Sequence, residues 1–318
     1  MIGTRAIEKT VTADLQAAEI QETLYLIGRP TLKNYIRFAR SNAVKSPGAG
    51  ALADQWRSAY SLVGQLARSE AGLADDPPIV SISVKEHKPL LSEFLKNPLV
   101  RHGFNIVPTE VAFVELDRLV VSQKHIDLEH ARRLEASLGR NPGPEQVFRA
   151  CLVSDQPRPP VTWGRTGDGR YVFMSPSNDL RYLGPMSMKS RHIRGIPPPG
   201  DVVGVIGMAV GFGSNLLSAI HVENRLILHN GSHRAYALRK IGIKNVPCIV
   251  QHVSSRDELE IVGASEVRRH PDRYLEDPRP SMFADYFNPG LHTVMRVQPR
   301  LRQITVKVNV EETYVPAL

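Results

Sequence analysis

Apolar positions along the first hundred residues recur mostly at helical spacing. Leu15–Ile27 follows this spacing up to Gly28-Arg29-Pro30, where proline cannot continue a helix. Thr31–Ala39 places Leu32, Tyr35, Ile36 and Ala39 on one helical face. After the loop Ser46–Gly50, Ala51–Leu73 is a long amphipathic helix with Leu52, Trp56, Tyr60, Val63, Leu66 and Ala67 along one side. Lys88–Lys96 adds a further helix. Residues 1–100 are thus expected to form a helical N-terminal region.

The pattern changes near Val107. Val111–Val114 is a short apolar run read as a strand, and Leu119–Val121 leads from it towards the helix Leu128–Leu138. Asp127 is placed to cap that helix and Gly139 to end it. Gln146–Leu152 is helical or leads into the core, and Tyr171–Met174 is a strand after the turn Gly167-Asp168-Gly169. Gly184–Gly200, rich in Pro, Gly and basic residues, reads as loop. Val202–Val210 fits a buried strand or the start of a buried helix, and Asn215–Ile220 a short helical piece. Arg225–His229, Ser232–Ile241 and Pro247–Val253 follow as strand, helix and strand. One helix is expected after Ser254, and Arg302–Val310 alternates cleanly at Ile304, Val306 and Val308 as a closing strand. The expected architecture is an α/β or α+β core over residues 101–318, with a boundary near 97–108.

Composition narrows the class. With 318 residues, 42% hydrophobic and 23% charged, the chain can bury a core without covalent staples. Val202–Val210, the longest apolar stretch, is interrupted by Gly204 and Gly207 and is too short to cross a bilayer. The first residues carry acids and no apolar core, unlike a secretory signal. Cys151 and Cys248 have no metal-ligand spacing, and Cys248 lies in an apolar run that suits a buried thiol. The expectation is a cytoplasmic protein without a membrane partner.

The net charge of +8 admits nucleic acid or phosphate-rich ligands, and its distribution is uneven. Residues 1–100 hold 12 basic and 10 acidic side chains. Between Arg158 and Arg194 lie Arg165, Arg170, Arg181, Lys189 and Arg191 as well, against only Asp168 and Asp179. Such a segment is either a solvated irregular surface or a flank of an anion site.

Chemistry concentrates in Leu226–Val250, LILHNGSHRAYALRKIGIKNVPCIV, read as strand, tight turn, helix, loop and strand. A glycine in the turn Asn230-Gly231-Ser232-His233-Arg234 lets backbone approach a ligand closely. The helix that follows points its free N–H groups and positive dipole end back at the turn. Ser232 is an N-cap residue that also offers a hydroxyl, and His233 and Arg234 add donors where a polyanion would sit. The pattern fits an anion cradle, and equally a plain strand-to-helix turn.

This segment resembles the signature of the ParB/sulfiredoxin superfamily, a Gly-x-x-Arg turn opening a helix with a small or apolar face, then a Gly and a Val-Pro entering the next strand. Gly231, Arg234, Ala235, Ala237, Leu238, Gly242 and Val246-Pro247 supply those elements. Gly-Ser-His-Arg is similar to the Gly-Cys-His-Arg of sulfiredoxins and to the turn of free-serine kinases. Glu115–Gly139 resembles the family's opening strand, glutamine-bearing loop and helix, with Gln123 and Lys124 in the loop. The resemblance spans roughly residues 110–253, with a large insertion. It implies a ParB/sulfiredoxin-like mixed-sheet core with nucleotide phosphates on Asn230, Gly231, Ser232, His233 and Arg234. Ser232 stands where sulfiredoxins carry their reactive thiolate, which argues against sulfinic acid reduction. No recognition helix follows Val253, which argues against sequence-specific centromere binding.

Three further segments are candidates. Val210–Asn215 is a Gly-rich loop whose Gly211, Gly213, Ser214 and Asn215 are placed to line the nucleotide pocket; it lacks the ending of a P-loop. Ser175–Arg181 gathers Ser177, Asn178, Asp179 and Arg181, suited to a sugar, an amino acid or Mg²⁺, or to a helix cap. Related serine kinases carry a glutamate in the loop after the first strand. Here Ser122–Asp127 has none, so Asp127 or Glu115 stands in as catalytic carboxylate, although Asp127 is equally a helix cap. His125, His130, His229 and His233 show no metal spacing, and Arg194 and Arg181 are possible phosphate clamps. The expected function is binding of ATP, ADP or CTP with Mg²⁺, for phosphoryl transfer to a small hydroxylated substrate or for hydrolysis. The alternative is a ParB-like DNA-binding or nuclease protein.

Overall fold

The computed structural model describes residues 20–82, 84–152, 159–177, 179–189, 204–213 and 215–316. In chain order the strands are β1 (Gln21–Leu26), β2 (Ile79–Ser81), β3 (Thr109–Glu115), β4 (Val120–Val121), β5 (His125–Asp127), β6 (Thr162–Arg165) and β7 (Tyr171–Ser175). They continue as β8 (Leu180–Met188), β9 (Val205–Phe212), β10 (Ser218–Val222), β11 (Arg225–Asn230), β12 (Asn245–Val253), β13 (His292–Val297) and β14 (Arg302–Val306). The helices are α1 (Leu32–Asn42), α2 (Ala49–Ser69), α3 (Val84–Lys96), α4 (Pro98–Gly103), α5 (Leu128–Leu138), α6 (Pro144–Leu152), α7 (Ser232–Lys240), α8 (Arg256–Val262), α9 (Ser265–Arg269) and α10 (Asp272–Leu275). Mixed and antiparallel sheets beside these helices make the fold α+β.

Two compact units divide the chain. The larger holds residues 20–155 and 214–298, and the smaller holds 1–19, 156–213 and 299–318. The boundary expected near 97–108 therefore falls inside the larger unit. Leu24, Phe94, Val114, Phe148 and Ile249, from both sides of that boundary, share one hydrophobic core.

The N-terminal region is not purely helical. Where Leu15–Ile27 was read as a helix, residues 21–26 form β1, and 15–19 lie outside the described residues. β1 is the middle strand of a three-stranded sheet, antiparallel to β13 and to β5. Thr23, Leu24, Tyr25 and Leu26 are all buried, because a central strand covered on both faces needs apolar residues on both. Such a run has no period of two and cannot be separated from a buried helix by spacing alone. α1 and α2 follow the predicted faces in part. Tyr35 and Ala39 are buried, as are Leu52 and Ala59, whereas Tyr60 stays exposed.

The main sheet is six-stranded, in the order β2-β3-β12-β10-β11-β4. β10 and β11 form an antiparallel hairpin, β12 runs parallel to β10, and β4 runs parallel to β11. The short helix expected at Asn215–Ile220 is replaced by β10, where pairing on two sides and burial of Ala219, Ile220 and Val222 override local propensity. α7 connects β11 to β12 and packs against α5; Ala235, Ala237 and Leu238 are buried completely. Three short helices, α8 to α10, follow Ser254 where one was expected.

In the smaller unit β14, β7 and β6 make a three-stranded antiparallel sheet, and β8 and β9 a two-stranded ribbon. Gly184–Met188, expected as loop, belongs to β8; 190–200 lie outside the described residues. β9 is a half-buried strand rather than a buried one.

Candidate functional site

The turn after β11 folds as its residues dictate. Gly231 has φ 92°, a left-handed conformation that a side chain strains, and a Cβ there would lie 2.6 Å from Leu217 Cδ1. The glycine thus admits Leu217 against the turn, where the sequence suggested room for a ligand. The Gly231 N–H donates to Asn230 Oδ1 at 2.8 Å. α7 starts at Ser232, and its first-turn N–H groups have no carbonyl partner within the helix.

Arg234 takes a different place from the one its motif suggested. It is buried, and its Nη1 donates to the carbonyls of Cys151 at 3.0 Å and Asn215 at 2.9 Å. The guanidinium therefore fastens the ends of α6 and of the segment before β10 to the turn. This engagement gives Arg234 a structural role beside the phosphate contact that the resemblance implies for it.

His233 is the distinctive group. Its Nε2 is buried and has no hydrogen-bond partner among the described residues. Burial, then the neighbouring His130 and His125, push its pKa down to about 3, so the imidazole is neutral. The His130 ring lies edge-on at 5.4 Å between centroids. His125 comes from β5 and His130 from the first turn of α5. Asp127 accepts the His130 N–H at 3.0 Å, so of its two expected roles it fills that of helix cap. Glu115 closes β3 opposite Asn245, and β12 and β10 stand between β3 and β11, so Glu115 lies away from the turn.

Parallel pairing of β4 with β11 sets their carboxyl ends side by side, so the loop Ser122-Gln123-Lys124 emerges next to the turn. Crevices outside such strand ends are common ligand sites in α/β sheets. A cavity of about 180 Å³ opens against this loop. Its polar wall carries Arg29, Gln123, Lys124, Arg273 and Asp277, with Ser122 and Ser281, and its apolar wall includes Leu26, Val63 and Tyr274. Lys124 Nζ sits 3.0 Å from Glu266, and Arg29 Nη1 sits 3.3 Å from Asp277. Arg29 Nε is buried without a partner among the described residues, and burial lowers the pKa of this guanidinium. The loop itself is pinned. Lys124 C=O accepts from Leu26 N–H at 2.8 Å, Gln123 C=O from Tyr286 Oη at 2.6 Å, and Gln123 Nε2 donates to His125 C=O at 2.8 Å.

Gln123 and Lys124 were thus legible from sequence, whereas Arg29, Arg273 and Asp277 were not. They come from a strand end and from the segment after α9, and no local pattern connects them.

The remaining candidates belong to the smaller unit. Asp179 N–H donates to Ser177 Oγ at 3.1 Å, Asp179 C=O accepts from Gly213 N–H at 3.1 Å, and Arg181 pairs with Asp179 at 3.5 Å. A Cβ on Gly213 would fall 2.4 Å from Arg181 Cζ, so the glycine makes room for that guanidinium. Gly211 lies in β9 opposite Arg181. The Gly-rich stretch therefore splits, with Gly211 and Gly213 in one unit and Asn215 with the turn in the other. Asn178, Arg194 and Ser214 lie outside the described residues.

Among the described residues no group of three or more His, Cys, Asp or Glu is arranged to hold a metal ion, and no helix is long and apolar enough to cross a membrane. Comparison with family models, with curated proteins and with solved structures finds no match to this chain.

Proposed function

We propose that this chain binds a nucleotide, with its phosphates on the first turn of α7, and a small hydroxylated molecule in the cavity against Ser122-Gln123-Lys124. On this reading it is a ParB/sulfiredoxin-like phosphotransferase or NTPase using ATP, ADP or CTP with Mg²⁺. The observation that carries the reading is the buried His233 Nε2, which lacks a partner among the described residues at the N-terminus of a helix. A buried ring nitrogen left unpaired costs about 1–3 kcal/mol, and a phosphate oxygen accepting from it would remove that cost. The first-turn N–H groups supply further donors, and the helix dipole favours the anion.

Within the cavity Asp277 is the lining carboxylate, with Arg29 beside it. In the proposed reaction Asp277, rather than Asp127 or Glu115, orients the acceptor hydroxyl. Lys124 and Arg273 supply positive charge along the same wall, and Mg²⁺ would be held mainly by phosphate oxygens.

Thermal melting against ATP, ADP and CTP with Mg²⁺ tests the binding site. A nucleotide at a hundred times its Kd adds about 2.7 kcal/mol of stability, which a melting shift reads directly. His233→Leu keeps the volume, removes the ring nitrogen and is expected to fold and to lose the shift. Absence of a shift with every nucleotide, or an undiminished shift in His233→Leu, defeats the proposal.

A further inference from the structure

The basic segment singled out in the sequence falls in the smaller unit. Residues 156–213 and 299–318 hold ten basic and five acidic side chains, a surplus of +5 out of the chain's +8. The sheet of this unit shows where part of that charge is displayed.

Antiparallel register places directly opposed residues on one face. Trp163 faces Phe173, which faces Ile304; Arg165 faces Tyr171, which faces Val306; Arg302 faces Ser175. One face of β6-β7-β14 therefore carries two aromatic-aliphatic rows edged by two arginines. Trp163 is 63% exposed, although a large apolar ring is ordinarily covered. The rings of Trp163 and Phe173 are stacked, 15° apart with centroids at 5.9 Å, and the exposed Trp163 ring extends that stack towards solvent. The Arg165 guanidinium rests 5.7 Å from the Tyr171 ring centroid. The acids nearest in sequence are already used, Asp168 by Arg170 and Asp179 by Arg181. Arg165 and Arg302 meet no acid among the described residues.

We infer that this sheet face is a stacking platform for single-stranded nucleic acid. Unpaired bases lie flat on exposed aromatic rings, and arginines beside those rings neutralise the phosphates between them. A duplex hides its base faces and gains only the charge. A protein or lipid partner gains nothing particular from a stacked pair of rings bordered by arginines that have no acid partner among the described residues, Arg302 being held by the Leu180 carbonyl at 2.6 Å. The platform lies in the smaller unit and draws on none of the residues proposed to hold a nucleotide, so the two proposals stand or fall separately.

Fluorescence anisotropy of the full chain with labelled oligothymidylate and oligouridylate of about a dozen nucleotides is the test, beside a duplex of equal length. Single strands are expected to bind with affinity that falls steeply with salt. Trp163→Ala should weaken binding about five-fold or more, because each base–aromatic stack contributes at least about that factor. Trp163→Phe, which retains a flat ring, should stay within about three-fold of the parent. Arg165→Gln should flatten the salt dependence by about one phosphate contact. Melting curves establish that each variant is folded. The inference is overturned if neither oligonucleotide binds at low salt, if folded Trp163→Ala binds as the parent does, or if duplex binds as tightly as single strands.

Discussion

At His233 burial outweighs charge, and this gives the residue a measurable signature. Its ordinary pKa of 6.5 in the unfolded chain falls to about 3 in the fold. Above 6.5 neither state is protonated, and the depressed value has no effect on stability. As pH falls through that value the unfolded chain takes up the proton first, so the folded state loses ground until about pH 3. The loss from this one group is about 2 kcal/mol at about pH 5. Urea denaturation near pH 7 and near pH 5 should show that the parent loses about 2 kcal/mol more than His233→Leu does. Equal losses would mean that the ring is already paired. The sequence marked His233 as a donor on the first turn; it did not show that the ring would be buried beneath it. That depends on α5 and β5, which bring His130 and His125 against it.

Elements were legible where their pattern was local. α7 and its flanking strands β11 and β12 follow the turn signal, the small-residue face and the Val-Pro entry into the next strand. β1 and β10 were misread as helices, because strands paired on both sides carry apolar residues without alternation. Packing of α7 depends on Arg234, whose two carbonyl partners lie 83 and 19 residues away in sequence. Arg234→Ala should therefore destabilise the protein by about 1.5–3 kcal/mol, since it removes the charged donor shared by the Asn215 carbonyl and the Cys151 carbonyl, the latter keeping only its bond from Leu217 N–H. Chemical denaturation reads this directly. A cost below about 1 kcal/mol would show that water or other donors satisfy those carbonyls. A loss of nucleotide binding in Arg234→Ala would thus mix folding with recognition, which is why His233→Leu is the cleaner probe.

Within the larger unit, the chain beyond α10 is tied to the N-terminal helices by a buried charge network. Arg279 is 3% exposed and bonds Asp285 at 2.7 and 2.8 Å and Glu70 at 3.0 Å. Its own carbonyl accepts from Arg29 at the rim of the cavity. Arg279→Ala leaves the buried Asp285 carboxylate without its cation and should cost about 3–5 kcal/mol by denaturation. Adding Asp285→Leu should recover part of that loss, because the uncompensated charge is then gone; failure to recover would assign the cost to packing instead. What the sequence determined by itself is what neighbouring residues settle between themselves. These are the α+β class, the turn and helix of residues 230–240, the cap at Asp127, and the basic bias of the middle segment. Tertiary structure alone decided the rest. It made β1 a central strand, set Arg234 against the carbonyls of Cys151 and Asn215, and gathered Arg29, Lys124, Arg273 and Asp277 around one cavity. It also set Trp163 and Phe173 side by side on an open sheet face. The reason is physical. Periodicity records which side of an element is apolar, but a site is made where elements distant in sequence meet, and their meeting is fixed by the core they share.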